Sequence, residues 1–208
     1  MKPYYDHAGI TIYHGDCREV LREVLRPVDV VLTDPPYGIG ESYLSVTDNR
    51  ELVQMAVAVV NELRLTVPRV VVTPGVKNLY IYEQPSHVGS FGYPAGCGVN
   101  PWGFTCWQPI LFYGKDPYGG KGSRPDSYTS YEAAEKNGHP CPKPLGQWKW
   151  LLNRVTNAGD VVLDPFLGSG TTVLAAKDLG LTAIGIEIEE KYCEIAARRL
   201  SQEVLSFE

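Results

Sequence analysis

Two short runs hold the residues whose types and spacing could do chemistry. The first is Asp34-Pro35-Pro36-Tyr37, one residue after the mainly apolar run Val28–Leu32. Proline fixes φ and has no N–H, so two in a row stiffen a turn and leave nearby carbonyls free to accept hydrogen bonds. The acid before them is a second acceptor, and the aromatic after them is a stacking face. Together they make a pocket for a planar group that carries an amino function. The second run is Asp164-Pro-Phe-Leu-Gly168-Ser-Gly170-Thr-Thr, after "DVVL" and before a helical pattern. Its glycines let the backbone turn tightly and approach a ligand closely. About twenty residues on, "AIGIE" ends at Glu187, where a carboxylate suits ribose hydroxyls. This combination suits an adenosine-containing cofactor. The third glycine of the dinucleotide fingerprint is missing, so NAD fits poorly.

The elements around these runs alternate. "GITIYHGD" reads as a strand ending near Asp16, and Asp16 with Glu19 reads as a capping box before "CREVLREVL". Val28–Leu32 is β-branched and continuous, as in a parallel strand buried on both faces. Asp48 with Glu51 reads as a second capping box, opening a helix through "LVQMAVAVVNEL". "RVVVTPG", "DVVL" and "TAIGIE" read as further strands. "LGQWKWLLNRV" and the segments after Gly170 and Glu187 read as helices, with Gly180 ending the first of those two. Strand and helix in turn are the α/β rhythm. Residues 85–138 break it: Gly, Pro, Tyr and Trp dominate and one strand, "QPILFYG", is evident. Such a segment is too long for a plain connection and reads as a functional insertion in a single domain spanning 1–208.

Composition limits the classes. The chain has 208 residues, 44% hydrophobic and 21% charged, ordinary values for a globular domain. No apolar run reaches membrane-span length, and "MKPYYDHAGI" lacks a signal-peptide core. Five scattered cysteines without a CxxC suggest a reducing cytoplasm. Cys97, Cys106, His139 and Cys141 do not have the spacing of a compact zinc knuckle, so no metal is expected. The net charge of -5 argues weakly against a nucleic-acid partner. The charge is uneven: Lys115, Lys121, Arg124, Lys136, Lys143 and Lys149 stand against Asp116, Asp126, Glu132 and Glu135, and Lys115, Lys121 and Arg124 are the candidates for phosphate contact. Trp102, Trp107, Tyr113 and Tyr118 could touch bases, although such residues more often pack in cores and loops.

With "DPPYG" before "DPFLGSGTT" and "GIEIEEKY", the chain resembles the amino-methylating DNA methyltransferases. Its motif order is that of their permuted β class, which modifies adenine N6 or cytosine N4. "HPCPKP", His139–Pro144, resembles the HPxxKP segment of that class, with Cys141 and Pro142 in the variable places. "YHGDCREVL" resembles the segment before the catalytic strand. The resemblance implies a Rossmann-like methyltransferase fold of circularly permuted order, with a mostly parallel central sheet. It implies S-adenosylmethionine as cofactor and double-stranded DNA, with the target base flipped out, as partner. A homodimer is compatible with it, and so is a restriction–modification setting in a prokaryote or phage.

The roles carried over are these. Asp34 and the Pro35 carbonyl hold the target amino group, with Pro36 stiffening the turn and Tyr37 stacking on the base. Asp16 lies near the cofactor's adenine, and Asp34 and Lys143 are further cofactor contacts. Asp164, Phe166, Gly168 and Ser169 shape the cofactor turn with Gly170, Thr171 and Thr172, and Glu187 meets the ribose. The short segment 85–138 sits where the family keeps target recognition. Asp34 as the first residue favours adenine N6, because cytosine-N4 enzymes of the family usually place Ser there. Rival readings are a glutamine-modifying protein methyltransferase, whose Asn-Pro-Pro-Tyr follows the cofactor motif, and a nucleic-acid-binding module without catalysis.

Overall fold

The computed structural model describes residues 1–23, 27–38, 40, 42–43, 46–47 and 49–201. The chain runs β1 (Tyr5–His7), β2 (Ile10–His14), α1 (Cys17–Glu23) and β3 (Val30–Thr33). A small hairpin, β4 (Ser42–Tyr43) and β5 (Val46–Thr47), precedes α2 (Arg50–Thr66) and β6 (Arg69–Val72). Next come β7 (His87–Gly92), the hairpin β8 (Gly98–Asn100) and β9 (Gly103–Thr105), β10 (Trp107–Gly114) and β11 (Ser127–Thr129). The last elements are α3 (Leu145–Val155), β12 (Val161–Asp164), α4 (Thr171–Asp178), β13 (Thr182–Glu187) and α5 (Glu190–Ser201).

Among the described residues, nine strands make one sheet in the order β1-β2-β13-β12-β3-β6-β10-β7-β11. The inner strands β2, β13, β12, β3 and β6 are mutually parallel. Antiparallel pairing attaches β1 at one end and β10 and β7 at the other. Alternation along β3 shows why the sheet is covered on both faces. Val30 and Leu32 pack with Trp148, Leu151, Val173 and Ala196 from α3, α4 and α5. Val31 packs with Val20, Val59, Val60 and Leu63 from α1 and α2. Every residue of β3 is buried, which is why the run is apolar without alternating polarity.

The chain leaves β3 through α2 for β6 on one side and leaves β12 through α4 for β13 on the other. The adjacent carboxyl ends of β3 and β12 therefore flank a topological switch point, where open α/β sheets form their crevice. Both motifs emerge there.

Local readings change in detail. β3 starts at Val30 rather than Val28. Asp16 does cap α1, but its Oδ1 accepts from the amide of Arg18 at 2.9 Å, and the Glu19 amide bonds the Asp16 carbonyl instead. Asp48 lies outside the described residues; the N-cap of α2 is Asn49, whose Oδ1 accepts from the Leu52 amide at 2.9 Å. Gly180, at φ +67°, follows α4 in the left-handed conformation. Segment 85–138 is richer in strands than the sequence suggested. β7, β10 and β11 join the main sheet, and β8–β9 stands as a separate hairpin. Gly89 explains why β7 was not legible: a Cβ there would lie 2.3 Å from the Asp126 carbonyl oxygen, so close strand approach demands a residue of low strand propensity. Among the described residues, no helix is long and apolar enough to cross a membrane, and no cluster of three His, Cys, Asp or Glu is placed to hold a metal.

Candidate active site

Asp34 leaves the carboxyl end of β3 with both oxygens engaged. Oδ1 accepts from the hydroxyls of Tyr37 and Thr73, and Oδ2 accepts from the Lys143 ammonium. Thr73 is delivered by the neighbouring strand, since its amide donates to the Thr33 carbonyl at 3.1 Å just past the end of β6. The Tyr37 ring lies against Gly75. A Cβ at that glycine, which has φ +71°, would stand 3.3 Å from the ring. Asn78 Nδ2 donates to the Tyr37 carbonyl at 2.9 Å. Burial and the Asp34 carboxylate push the Tyr37 phenol well up, so it remains a donor. The Lys143 ammonium stands 5.0 Å from the centroid of the same ring.

Asp164 ties the two strand ends together. Its Oδ1 accepts from Thr33 Oγ1 at 2.7 Å and the Phe166 amide at 3.1 Å, and Oδ2 accepts from Thr172 Oγ1 at 2.5 Å. Thr172 also accepts from the indole of Trp148 at 2.9 Å, which links α4 to α3. At 2% exposure the carboxyl of Asp164 is pushed up to about 6 by burial, against the pull of these donors. Glu187 is likewise buried and pushed up to about 7. Its Oε2 accepts from the Gly168 amide at 2.7 Å and Oε1 from the Glu189 amide at 2.9 Å. The acid at the end of β13 thus holds the glycine turn in shape.

One cavity of about 330 Å³ joins these parts. Asp34, Pro35, Pro36 and Tyr37 line it from one side, and Asp164, Phe166, Gly168, Ser169, Thr171, Thr172 and Glu187 from the other. Asp16 and Lys143 also line it. Asp16 is paired with Arg18, which holds its carboxyl below the usual range. The lining suits a cationic, adenosine-bearing group: acids as acceptors at several points of a mainly apolar wall that includes Phe166, Leu167 and Ile188.

Gly170 is not brought to the cavity with its neighbours. It is the N-cap of α4 at φ +84°, and a Cβ there would meet the Cβ of Ala196 at 2.6 Å. Close packing of α4 on α5 requires this glycine, rather than room for a ligand. Lys115, Lys121 and Arg124 lie far from the site. They follow Gly114, which pairs with Arg69 at the start of β6, so their loop is at the opposite edge of the sheet. Arg124 donates to Asp116 Oδ1 at 2.8 Å and to the Arg154 carbonyl at 2.9 Å. Lys115 and Arg124 line a second cavity of about 510 Å³ at that far edge.

The sequence gives no sign of Thr73, Thr33 or Tyr192 as site residues; it marks His139 only as part of a motif, and of Trp148 and Trp150, two apart on α3, it expects one in the core, which is Trp148. His139 has a clear position: its Nε2 lies 3.1 Å from where a Cβ on Gly168 would be, and its ring meets that of Tyr192 edge-on at 4.6 Å. Burial and the nearby Lys143 charge lower it to about 4, so it is neutral at pH 7. Its place in "HPCPKP" was the available signal. Thr73 had none, because only strand pairing puts it beside Asp34.

Residues 77–198 match the DNA methylase family of N6 and N4 methyltransferases. The type II methyltransferase M.ScaI of Streptomyces caespitosus is 27% identical over 260 aligned positions, which cover 99% of this chain and 86% of its own length. The crystal structure of the M1.HpyAVI–SAM complex superposes with a TM-score of 0.70 at 24% identity, covering 93% of this chain and 100% of that one. The cytosine-N4-specific PvuII DNA methyltransferase superposes with a TM-score of 0.77 at 16% identity, covering 99% of this chain and 91% of that one. At these identities the two structures are evidence of a shared fold.

Proposed function

Because this chain belongs to the DNA methylase family of N6 and N4 methyltransferases, we propose that it methylates the N6 amino group of adenine in DNA, with S-adenosylmethionine as methyl donor. The observation that carries this reading is the meeting of two turns in one cavity. Asp34–Tyr37 faces the Gly168–Glu187 cradle across the switch point between β3 and β12.

When bound, the cofactor supplies an electrophilic methyl on a sulfonium. The chain's residues do the rest by position and preorganised charge. Glu187, fixed by two backbone amides, is the acceptor for ribose hydroxyls, and Asp16 lies toward the adenine. An exocyclic amine is a poor nucleophile because its lone pair is delocalised into the ring. Asp34 and the Pro35 carbonyl accept its two hydrogens and favour a pyramidal nitrogen whose lone pair is free to attack. Tyr37, backed by Gly75, stacks on the base, which must leave the duplex to reach this depth. Asp34 Oδ2 is the atom placed to hold the departing proton once the amine is methylated.

Adenine is preferred on the first residue of the tetrapeptide, where Asp34 matches the adenine enzymes of the family. The test is methylation of DNA with labelled cofactor, digestion to nucleosides and identification of the labelled species by mass. Label in N6-methyladenine supports the reading. Label in N4-methylcytosine moves the specificity but keeps the mechanism. Label in C5-methylcytosine removes the mechanism, because that chemistry needs a cysteine nucleophile.

A further inference from the structure

The hairpin β8–β9 is unlike the rest of the surface. No Asp, Glu, Lys or Arg occurs between Tyr93 and Cys106. Yet Val99, Trp102 and Phe104 are 79%, 98% and 78% exposed. An indole left almost wholly in water serves no packing purpose, and apolar groups gathered on one exposed element mark a contact surface.

Strand register says where the hairpin points. β3 and β6 end together, Thr33 beside Val72. β10 runs the other way, with Leu111 beside Val72, so Trp107–Ile110 continue past the carboxyl ends of the parallel strands. At about 3.4 Å per residue that overhang is roughly 13 Å. β7 accompanies it, Gly92 beside Trp107, and the Tyr93 amide bonds the Cys106 carbonyl at 2.8 Å. The hairpin is thus raised above the edge of the sheet from which Asp34 emerges. It is anchored there: Tyr93 donates to Gln147 Oε1 at 2.8 Å in the first turn of α3, close behind Lys143. Its tip is preformed. Asn100 Oδ1 accepts from the Trp102 amide at 2.8 Å, and Asn100 Nδ2 donates to Thr105 Oγ1 at 2.9 Å. A rigid tip loses little freedom on binding.

We infer that Trp102, at the tip of this hairpin, stacks on exposed base faces of the DNA beside the extruded target nucleotide. The inference rests on the DNA-methylating reading above. Extrusion of a base leaves two base faces without a neighbour, and an aromatic ring is sequence-tolerant cover for them. The absence of charge on the hairpin fits bases rather than phosphates. The three cations proposed from sequence lie at the far edge of the sheet, so DNA at the catalytic edge must be met by something else. A second copy of the chain is the competing occupant.

The experiment uses the whole protein and a duplex containing the sequence that it methylates, mapped first. Trp102→Ala should bind this duplex about tenfold or more weakly, the equivalent of one lost stacking contact. Trp102→Phe should recover part of the loss. The slope of log affinity against log salt should match the parent's, because no phosphate contact is removed. Affinity for S-adenosylhomocysteine should be unchanged in all three proteins. Equal DNA affinity of parent and Trp102→Ala overturns the inference while methylation by the parent leaves the reading intact. Dissociation of a parent dimer by Trp102→Ala, with DNA affinity per chain unchanged, also overturns it in favour of self-association. A parent that binds and methylates no duplex overturns both.

Discussion

The Lys143 ammonium is paired with Oδ2 of Asp34. Side-chain exposures of 13% and 19% make the pair mostly buried. On the mechanism proposed above, the target amino group is also an N–H donor over the Tyr37 ring, so it competes with Lys143 for that carboxylate. Removing one partner leaves the other charge without its counter-ion at a mostly buried position. Lys143→Met is therefore expected to destabilise the protein by on the order of 1–3 kcal/mol in urea unfolding. Asp34→Asn should remove part of that cost in the double variant, giving a clear coupling energy in a double-mutant cycle. Additive effects would show that the pair does not hold in solution.

Asp34→Ala should cut methyl transfer by at least about a hundredfold, because the amine loses its charged acceptor. Tyr37→Phe keeps the ring but loses the hydroxyl bond to Asp34, so its loss should be nearer tenfold. Tyr37→Ala should be clearly worse than Tyr37→Phe, through the lost stacking face. Filter-binding assays with labelled cofactor give all three rates. Equal rates for the two Tyr37 variants would remove stacking from the mechanism.

Gly170→Ala should act on folding. The new Cβ meets Ala196 at 2.6 Å, and φ is +84°. The expected cost is about 1–3 kcal/mol, read from urea midpoints. Ala196→Gly in the same chain should return part of it, by relieving the clash but not the backbone strain. Cofactor affinity measured by calorimetry on the folded fraction should change little. A large, selective loss of cofactor affinity would instead place Gly170 at the ligand.

Asp164 predicts a pH signature. Its pKa rises on folding from 3.8 to about 6. A carboxyl raised on folding favours the native state fully below the unfolded value, and that contribution is lost as pH rises through the folded value. The stability of the parent relative to Asp164→Asn should therefore be greatest below about pH 4 and fall as pH rises through about 6. The size of the change is on the order of 3 kcal/mol. Thermal melts of both proteins across that window measure it, and a constant gap would show that Asp164 does not titrate there.

Neutralising Lys115, Lys121 and Arg124 together should leave the salt dependence of DNA affinity near the parent's. Their loop lies at the amino-terminal end of β6, and Arg124 is engaged with Asp116 and the Arg154 carbonyl. A slope flattened by two or three ion equivalents would mean that DNA wraps to that edge.

The sequence alone determined the local chemistry. Short continuous apolar runs named β3, β6, β12 and β13, because parallel strands buried on both faces leave no room for polar alternation. Asp34–Tyr37 and Asp164–Thr172 were readable because proline and glycine have backbone consequences that do not depend on distant partners. The order of the two motifs was readable for the same reason.

Tertiary structure decided which residues meet and which face they serve. Thr73 sits 39 positions from Asp34 and is brought to it by parallel pairing of β3 with β6. Lys143, 109 positions away, arrives by the path of β11 and the loop after it. Gly170 and Gly168 look alike in sequence, yet one faces α5 and the other the cavity. The direction of β10 put Lys115, Lys121 and Arg124 at one edge of the sheet and Trp102 at the other. Strand direction and helix packing come from contacts between distant segments, and no local window of residue types contains them.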